Sequence, residues 1–295
     1  MIDYDAIRCL KTVIELQGFE RAGQFLGLTQ SAVSQKIKRL EQQLGGPLVI
    51  RSKIVKATDL GIQVLQHYSK VSLLEHDFVH EILDSPQMSQ LTIGVNNDGL
   101  ATWFSEVMAS LPNNYQTQIH IKAADQRMTR EKLQQGEVLA CVSEQGAPVA
   151  GCDVTLLGYM EYELVATPRY VDHYFKEGLD PALVLTSPSL IYDVFDELWY
   201  RYLTEKLQLP HVLSNSHWYP SSSGFVSLVL GGTVCALVPS MQIQPYLFDR
   251  RLVSLFPDRK LSIPMYWHSY RLDSTALNTL SKIVIRVGEK NLVKY

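Results

Sequence analysis

Cysteine is scarce and unpatterned. The four residues, Cys9, Cys141, Cys152 and Cys235, show no metal-type spacing, and most sit among apolar neighbours. Zinc-finger and disulfide-scaffold classes are excluded, and buried free thiols are expected. No apolar run approaches the ~20 residues that a membrane-spanning helix needs. The chain begins with Asp3 and Asp5 where a secretory signal carries basic residues, and no apolar core follows, so a cytoplasmic protein is expected. No G-x-S-x-G and no phosphate-cradling glycine loop occurs, and the eight histidines are scattered. Hydrolase, nucleotide and metal chemistry therefore lack their signatures, and neither catalysis nor a cofactor is expected.

At 295 residues the chain exceeds one ordinary domain, and two or three are expected. The net charge of -3 hides an asymmetry. Residues 1–60 hold nine Lys/Arg against six Asp/Glu, a surplus of three, whereas the remainder runs a deficit of six. A basic head on an acidic body fits a DNA-reading module joined to something else.

The head is organised around Phe19–Leu44, FERAGQFLGLTQSAVSQKIKRLEQQL. Ala22, Phe25, Leu26 and Leu28, then Ala32, Val33, Ile37, Leu40 and Leu44, follow the spacing of a buried helical stripe. Gly27 permits the positive φ of a helix end, and Thr29 can cap the next helix. Gln30, Ser31, Ser34, Gln35, Lys38 and Arg39 lie largely off the stripe. They offer amides, hydroxyls and two cations, the groups that bond base edges and phosphates. A helix-turn-helix and a surface helical hairpin both fit this window alone. An earlier helix, Asp5–Leu16, and a short hairpin from Leu48–Arg51 and Ile54–Ala57 would complete a winged head, with Arg51, Lys53 and Lys56 near the DNA backbone.

Thr58 can cap a long helix reaching about Leu83. Leu60, Val64, His67, Val71, Leu74 and Phe78 step by four and three, a short heptad seam suited to a dimerising linker. Asp84-Ser85-Pro86 should end it. From Leu91 strands and helices alternate: strands at Leu91–Val95, Thr117–Ala123 and Val138–Val142, helices at Leu100–Leu111 and Gln126–Gln135. A second group has strands at Tyr162–Thr167, Leu190–Tyr192, Val212–Ser214 and Val234–Val238, with helices at Arg169–Phe175, Phe195–Leu207 and Ser222–Leu230. Ile263–Tyr270 returns as a strand and Ser274–Val293 as a last helix. The class expected is α/β: a helix-rich winged helix-turn-helix head (1–58), a linker helix (59–86), and a two-lobed, periplasmic-binding-protein-like effector domain (87–295). Lobe I spans about 90–163 and 266–295, and lobe II about 164–265.

FERAGQFLGLTQSAVSQKIKRLEQQLGGPLVIR closely resembles the head of LysR-type transcriptional regulators, and the linker and two-lobed body match that family's layout. NNDGLATWF (Asn96–Phe104), QQGEVLACVS (Gln134–Ser143) and MYWH (Met265–His268) resemble its ArgP branch, which senses lysine and arginine. The resemblance implies double-stranded promoter DNA as partner, a basic amino acid as effector, and a homodimer or homotetramer in the bacterial nucleoid. It carries base reading to Gln30, Ser31, Ser34, Gln35 and Lys38, with Arg51 near the wing. It carries effector contact to Asn97, Asp98, Leu100, Ala101 and Thr102 in the first lobe and to Ser221, Ser222 and Ser223 in the second. Three departures stand out: Val49 where Phe is common, a wing SKIVKATD without the branch's prolines, and Ala123, Ala124 and Gln126 around Asp125 where the branch is more acidic.

Physical chemistry points to the same cleft. A helix starting at Leu100 would offer free N–H groups to a carboxylate, and Thr102 a further donor. Asp98 and Glu144 could pair with an ammonium. Helix capping explains Asp98 equally well, and a capping loop is the rival for Ser221–Ser223. Trp103, Trp199, Trp218 and Trp267 fit core or cleft walls. Two rivals fit the lobes: a two-lobed α/β enzyme, and an amino-acid-binding protein without DNA-dependent function. The first lacks a catalytic motif. The basic head argues against the second.

Overall fold

The computed structural model describes residues 2–52, 54–83, 89–124, 126–194, 196–210 and 212–295. Lys53, Asp84, Ser85, Pro86, Asp125 and Phe195 lie outside the described residues. In the head, Asp3 caps α1 (Tyr4–Glu15) by accepting from the Ala6 N–H. α2 (Phe19–Leu26) ends on Gly27 at φ 67°, and Thr29 caps α3 (Gln30–Leu44). Ile7, Leu10, Val13, Ala22, Val33, Ile37, Leu40 and Leu48 close the core between the three helices. The wing is the antiparallel pair β1 (Val49–Ile50) and β2 (Lys56–Ala57), shorter than its sequence suggests. Phe25 departs from expectation: it is 73% exposed. Ala22 already fills the core side of α2, and Phe25 turns off the stripe toward solvent.

Thr58 does cap the long helix α4 (Asp59–Leu83), its Oγ1 accepting from the Gly61 N–H at 3.0 Å. The expected seam is divided. Leu60 and Val64 pack against the head's own core. Leu73, a residue off the seam, is buried in the effector-domain core, and Lys70 sits 4.0 Å over the Tyr270 ring. Leu74 and Phe78 are exposed, and Ile82 extends their row at 61% exposure.

Among the described residues, the effector domain holds one mixed sheet of nine strands in the order β4-β3-β5-β11-β6-β9-β7-β8, with β10 also on β6. β3 (Ser89–Asn96), β4 (Thr117–Ala124) and β5 (Ala140–Ser143) run parallel in lobe I. β7 (Ser189–Ile191), β8 (Ser216–Trp218) and β9 (Cys235–Pro239) run parallel in lobe II. β6 (Cys152–Ala166) and β11 (Leu261–Tyr270) pair antiparallel and serve both lobes; β10 is Val253–Ser254. Sequence reading caught only the end of β6. Gly158, at φ 138°, marks a bulge there, where register shifts between Met265 and Tyr266. A Cβ at Gly158 would lie 2.8 Å from that of Leu292, so the chain end seals this crossing. The third lobe II strand is Ser216–Trp218 rather than Val212–Ser214.

Helices cover both lobes. Lobe I carries α5 (Asn97–Leu100), α6 (Phe104–Ala109), α7 (Gln126–Gln134) and the last helix, α12 (Thr275–Asn291). Lobe II carries α8 (Pro168–Tyr174), α9 (Glu197–Arg201) with a π-helical continuation Tyr202–Leu207, α10 (Ser222–Leu230) and α11 (Ser240–Phe248). The single helix expected from Leu100 is two pieces broken by a turn at 101–103. Trp103, Trp199 and Trp267 are core residues, whereas Trp218 is 62% exposed on the edge strand. All four cysteines are buried and free.

Ile37→Ala should lower unfolding free energy by about 2–5 kcal/mol, because it removes a fully buried side chain and leaves a cavity. Phe25→Ala should change it by about 0.5 kcal/mol or less. Denaturant melts of both variants measure the contrast, and equal losses would return Phe25 to the core.

Candidate functional site

Two surfaces carry the sequence-derived residues. The first is the open face of α3. Thr29 adopts φ −74°, ψ 152°, and its Oγ1 accepts from the Ala32 N–H, which fixes the start of the helix. Gln30, Ser31, Gln35, Lys38 and Arg39 are exposed on it, and Ser34 is half-buried. Arg51 reaches back from the wing. Its guanidinium lies 4.7 Å over the Phe19 ring and donates to Ser34 Oγ at 3.4 Å. Lys36 faces another way, toward Asp5 at 3.8 Å. The face thus mixes amides, hydroxyls and exposed cations.

The second is a cleft of about 800 Å³ between the lobes. Lobe I contributes Asn96, Asn97, Asp98 and Glu144, where β3 and β5 end. Lobe II contributes Tyr192, Asp196, Glu197, Leu198, Arg201, Ser222, Phe225, Leu237 and Pro239. Of the residues expected from sequence, Asn97, Asp98, Glu144 and Ser222 line it. Leu100, Ala101, Thr102, Ser221 and Ser223 are not in its lining. Leu100 packs on the core, and the Ala101 carbonyl accepts from Gln242 Nε2 of lobe II at 3.4 Å. Thr102 Oγ1 donates to the carbonyl of Asp98 at 2.6 Å, so it serves its own turn. Ser221 and Ser223 hydroxyls lie 3.2 Å apart. The helical dipole expected at Leu100 is also absent, since α5 is one turn long and starts at Asn97.

The cleft is strongly acidic. Asp98, Glu144, Asp196 and Glu197 line it against one cation among the described lining residues, Arg201. Tyr162 Oη donates to Asp98 Oδ2 at 2.7 Å. Asp196 caps α9, accepting from the N–H groups of Tyr192 at 2.9 Å and Leu198 at 3.0 Å. Burial nonetheless pushes the Asp196 carboxyl above its ordinary value, and the charge of Asp98 adds to that rise. Contacts among the described residues cross between the lobes here. Asn97 Nδ2 donates to Tyr192 Oη at 2.9 Å, Arg201 pairs with Glu144 at 3.2 Å, and Gln242 bonds Ala101 as above. Asn96 is 1% exposed, and neither its Nδ2 nor its Oδ1 has a hydrogen-bond partner among the described residues.

Asn96, Tyr192, Asp196, Glu197 and Arg201 escaped the sequence reading. Asn96 opens a noted motif, and Asp196-Glu197 reads as an ordinary helix start. Only the fold brings these residues to Asp98 and Glu144. Asp196 and Glu197 supply negative charge from lobe II, opposite Asp98.

Comparison with known proteins gives one answer along the whole chain. Residues 4–62 match the bacterial regulatory helix-turn-helix protein, lysR family, and residues 85–288 match the LysR substrate binding domain. The HTH-type transcriptional regulator ArgP of Aeromonas salmonicida is 36% identical over 293 residues, covering 99% of this chain and 98% of that protein. The crystal structure of ArgP from Mycobacterium tuberculosis is similar at TM-score 0.87 and 30% identity, over 100% of both chains. Full-length LysG from Corynebacterium glutamicum, with bound effector Arg, is similar at TM-score 0.76 and 30% identity, over 98% of this chain and 99% of that one. With both of its parts matched and a full-length relative above one third identity, the chain belongs to the LysR family of bacterial helix-turn-helix transcriptional regulators.

Proposed function

We propose that this regulator binds promoter DNA as a homodimer or homotetramer and that lysine or arginine in the interlobe cleft alters that binding. The observation that carries the effector class is the cleft's charge, four carboxylates against Arg201 among the described lining residues. A cation relieves that imbalance, and a neutral or anionic guest does not. The bound Arg of LysG, at 30% identity over nearly the whole chain, supports the same class. The division of labour follows the architecture: head 1–58, linker 59–86, effector domain 87–295, with lobe I at about 90–163 and 266–295 and lobe II at about 164–265. Gln30, Ser31, Ser34, Gln35 and Lys38 read the bases, and the charge of Lys38 adds to the phosphate neutralisation by Arg39, Arg51 and Lys53. Asn97, Asp98, Glu144 and Ser222 are the effector contacts retained from the sequence reading. No step of this function calls for catalysis, and its place is the bacterial nucleoid. The exposed row Leu74, Phe78 and Ile82 on α4 supplies a two-fold contact, which a single helix-turn-helix uses to read paired half-sites.

The regulator's own upstream region, footprinted with and without each basic amino acid, is the direct test. Lysine or arginine should change the footprint of the natural protein. Asp98→Asn should abolish that change and leave basal binding intact. A mutant that still responds at the same concentration would remove Asp98 from the site.

Lys38→Ala should weaken operator binding and reduce the log–log salt slope by about one. Lys36→Ala, turned toward Asp5, should leave the slope near its original value. A titration at several salt concentrations separates the two.

Phe78→Glu should shift the assembly toward smaller species in light scattering, since a charge then sits in the proposed seam. An unchanged mass would exclude this stretch of α4 from the interface.

A further inference from the structure

The cleft has two poles, and their charge patterns differ. One pole pairs unlike charges: Glu144 of lobe I and Arg201 of lobe II lie 3.2 Å apart. The other brings like charges together. Asp98 of lobe I, fixed by the Tyr162 hydroxyl, faces the cleft that Asp196 of lobe II also lines, and the two carboxylates sense each other's charge. Glu197 adds negative charge beside Asp196. Asn96, buried in the same lining, holds an amide donor and an amide acceptor that no group among the described residues satisfies. A buried amide without partners is an expensive arrangement for a protein to keep unless a ligand completes it.

A basic amino acid carries the complementary pattern, a zwitterionic head at one end and a lone cation at the other. Asp196 caps α9 and Arg201 closes it, so one short element of lobe II presents both a carboxylate and a cation to the cleft.

We propose that the Glu144–Arg201 pole takes the effector's head, carboxylate on Arg201 and α-ammonium on Glu144, while Asp98 and Asp196 seat its side-chain cation and Asn96 completes that seat with a hydrogen bond. This rests on the basic-amino-acid reading above and assigns its binding mode. Each end of the ligand then touches both lobes, so one molecule bridges them twice. Asp196 and Arg201 become specificity-determining residues, one for the cation and the other for the carboxylate.

Two probes separate the poles. Norleucine has lysine's head without the side-chain cation, and 1,5-diaminopentane has both of its cations without the carboxylate. Dissociation constants for lysine and both probes are measured by calorimetry on the full-length protein. The natural protein should prefer lysine to each probe by about tenfold or more, as expected for a lost charge-assisted bond. In Asp196→Asn the preference over norleucine should fall to within about threefold, and the preference over diaminopentane should persist. Arg201→Gln should do the reverse. Ratios within one variant cancel any general loss of folded protein. Ratios that stay at their original values overturn the assignment, as does a variant that loses all three ligands by one common factor. A variant that binds none of them while keeping its unfolding temperature also overturns it, because each should retain one working pole. If the natural protein binds lysine but the ratios do not move, only the pole assignment fails. If it binds neither lysine nor arginine, the basic-amino-acid reading fails first and this assignment falls with it.

Discussion

Strands β6 and β11 exchange backbone hydrogen bonds from Leu261 opposite Tyr162 to Tyr270 opposite Cys152, and both lobes hang on that pair. β5 joins it on one flank and β9 on the other, so the sheets of the two lobes are one continuous surface. Several site features descend from this register. Tyr162, near the lobe II end of β6, reaches Asp98 of lobe I. Glu163, the next residue, faces the other side of the sheet and accepts from Ser240 Oγ at the start of α11. Lys260, just before β11, neutralises Glu163 and Glu161 together. The crossing itself is relieved by Gly158, whose φ of 138° few other residues adopt. A shift of one residue here would turn Tyr162 away from the cleft and Glu163 into it.

The same strand pair also meets the linker. Tyr270, the last residue of β11, lies under Lys70 of α4, and its hydroxyl donates to the Leu133 carbonyl. Leu73 is buried in the effector-domain core one turn further on, and Gln66 Nε2 donates to the Gln134 carbonyl. At its other end α4 packs Leu60, Val64, Leu65 and Tyr68 on the head. A continuous set of packed groups therefore runs from the cleft strands to the DNA-facing helix bundle. Such continuity is what a two-state change in the cleft would need in order to be felt at the head.

The head was legible because its signals are local. Thr29, Gly27 and the stripe through Val33, Ile37 and Leu40 each act within a few residues, and the turn and core follow from them. Phe25 misled because helical spacing marks a stripe but not whether any neighbour covers it. β6 was mostly missed since the stretch before Tyr162 carries Asp153, Gly158 and Glu161, which break the apolar pattern, and most of it pairs with residues over a hundred positions away. The cleft was half legible for the same reason. Asp98 and Glu144 follow strand ends, where ligand sites of α/β lobes gather. Asp196 and Arg201 look like an ordinary cap and an ordinary surface cation until the fold sets them opposite lobe I.

The energetics of closure favour control by a small ligand. The groups that join the lobes across the cleft mouth are only partly buried, Glu144 at 18% and Arg201 at 29% side-chain exposure. An ion pair of that kind is worth roughly 0–1 kcal/mol, and the neighbouring Asn97–Tyr192 hydrogen bond roughly 0.5–1.5 kcal/mol. Against them stands the crowding of Asp98, Asp196 and Glu197 on one guest-sized space. Interactions of this size are comparable to what a ligand's own contacts supply: a tenfold preference for one arrangement of the lobes is worth about 1.4 kcal/mol. A cleft closed instead by apolar packing alone would be locked, and an amino acid could not change its state.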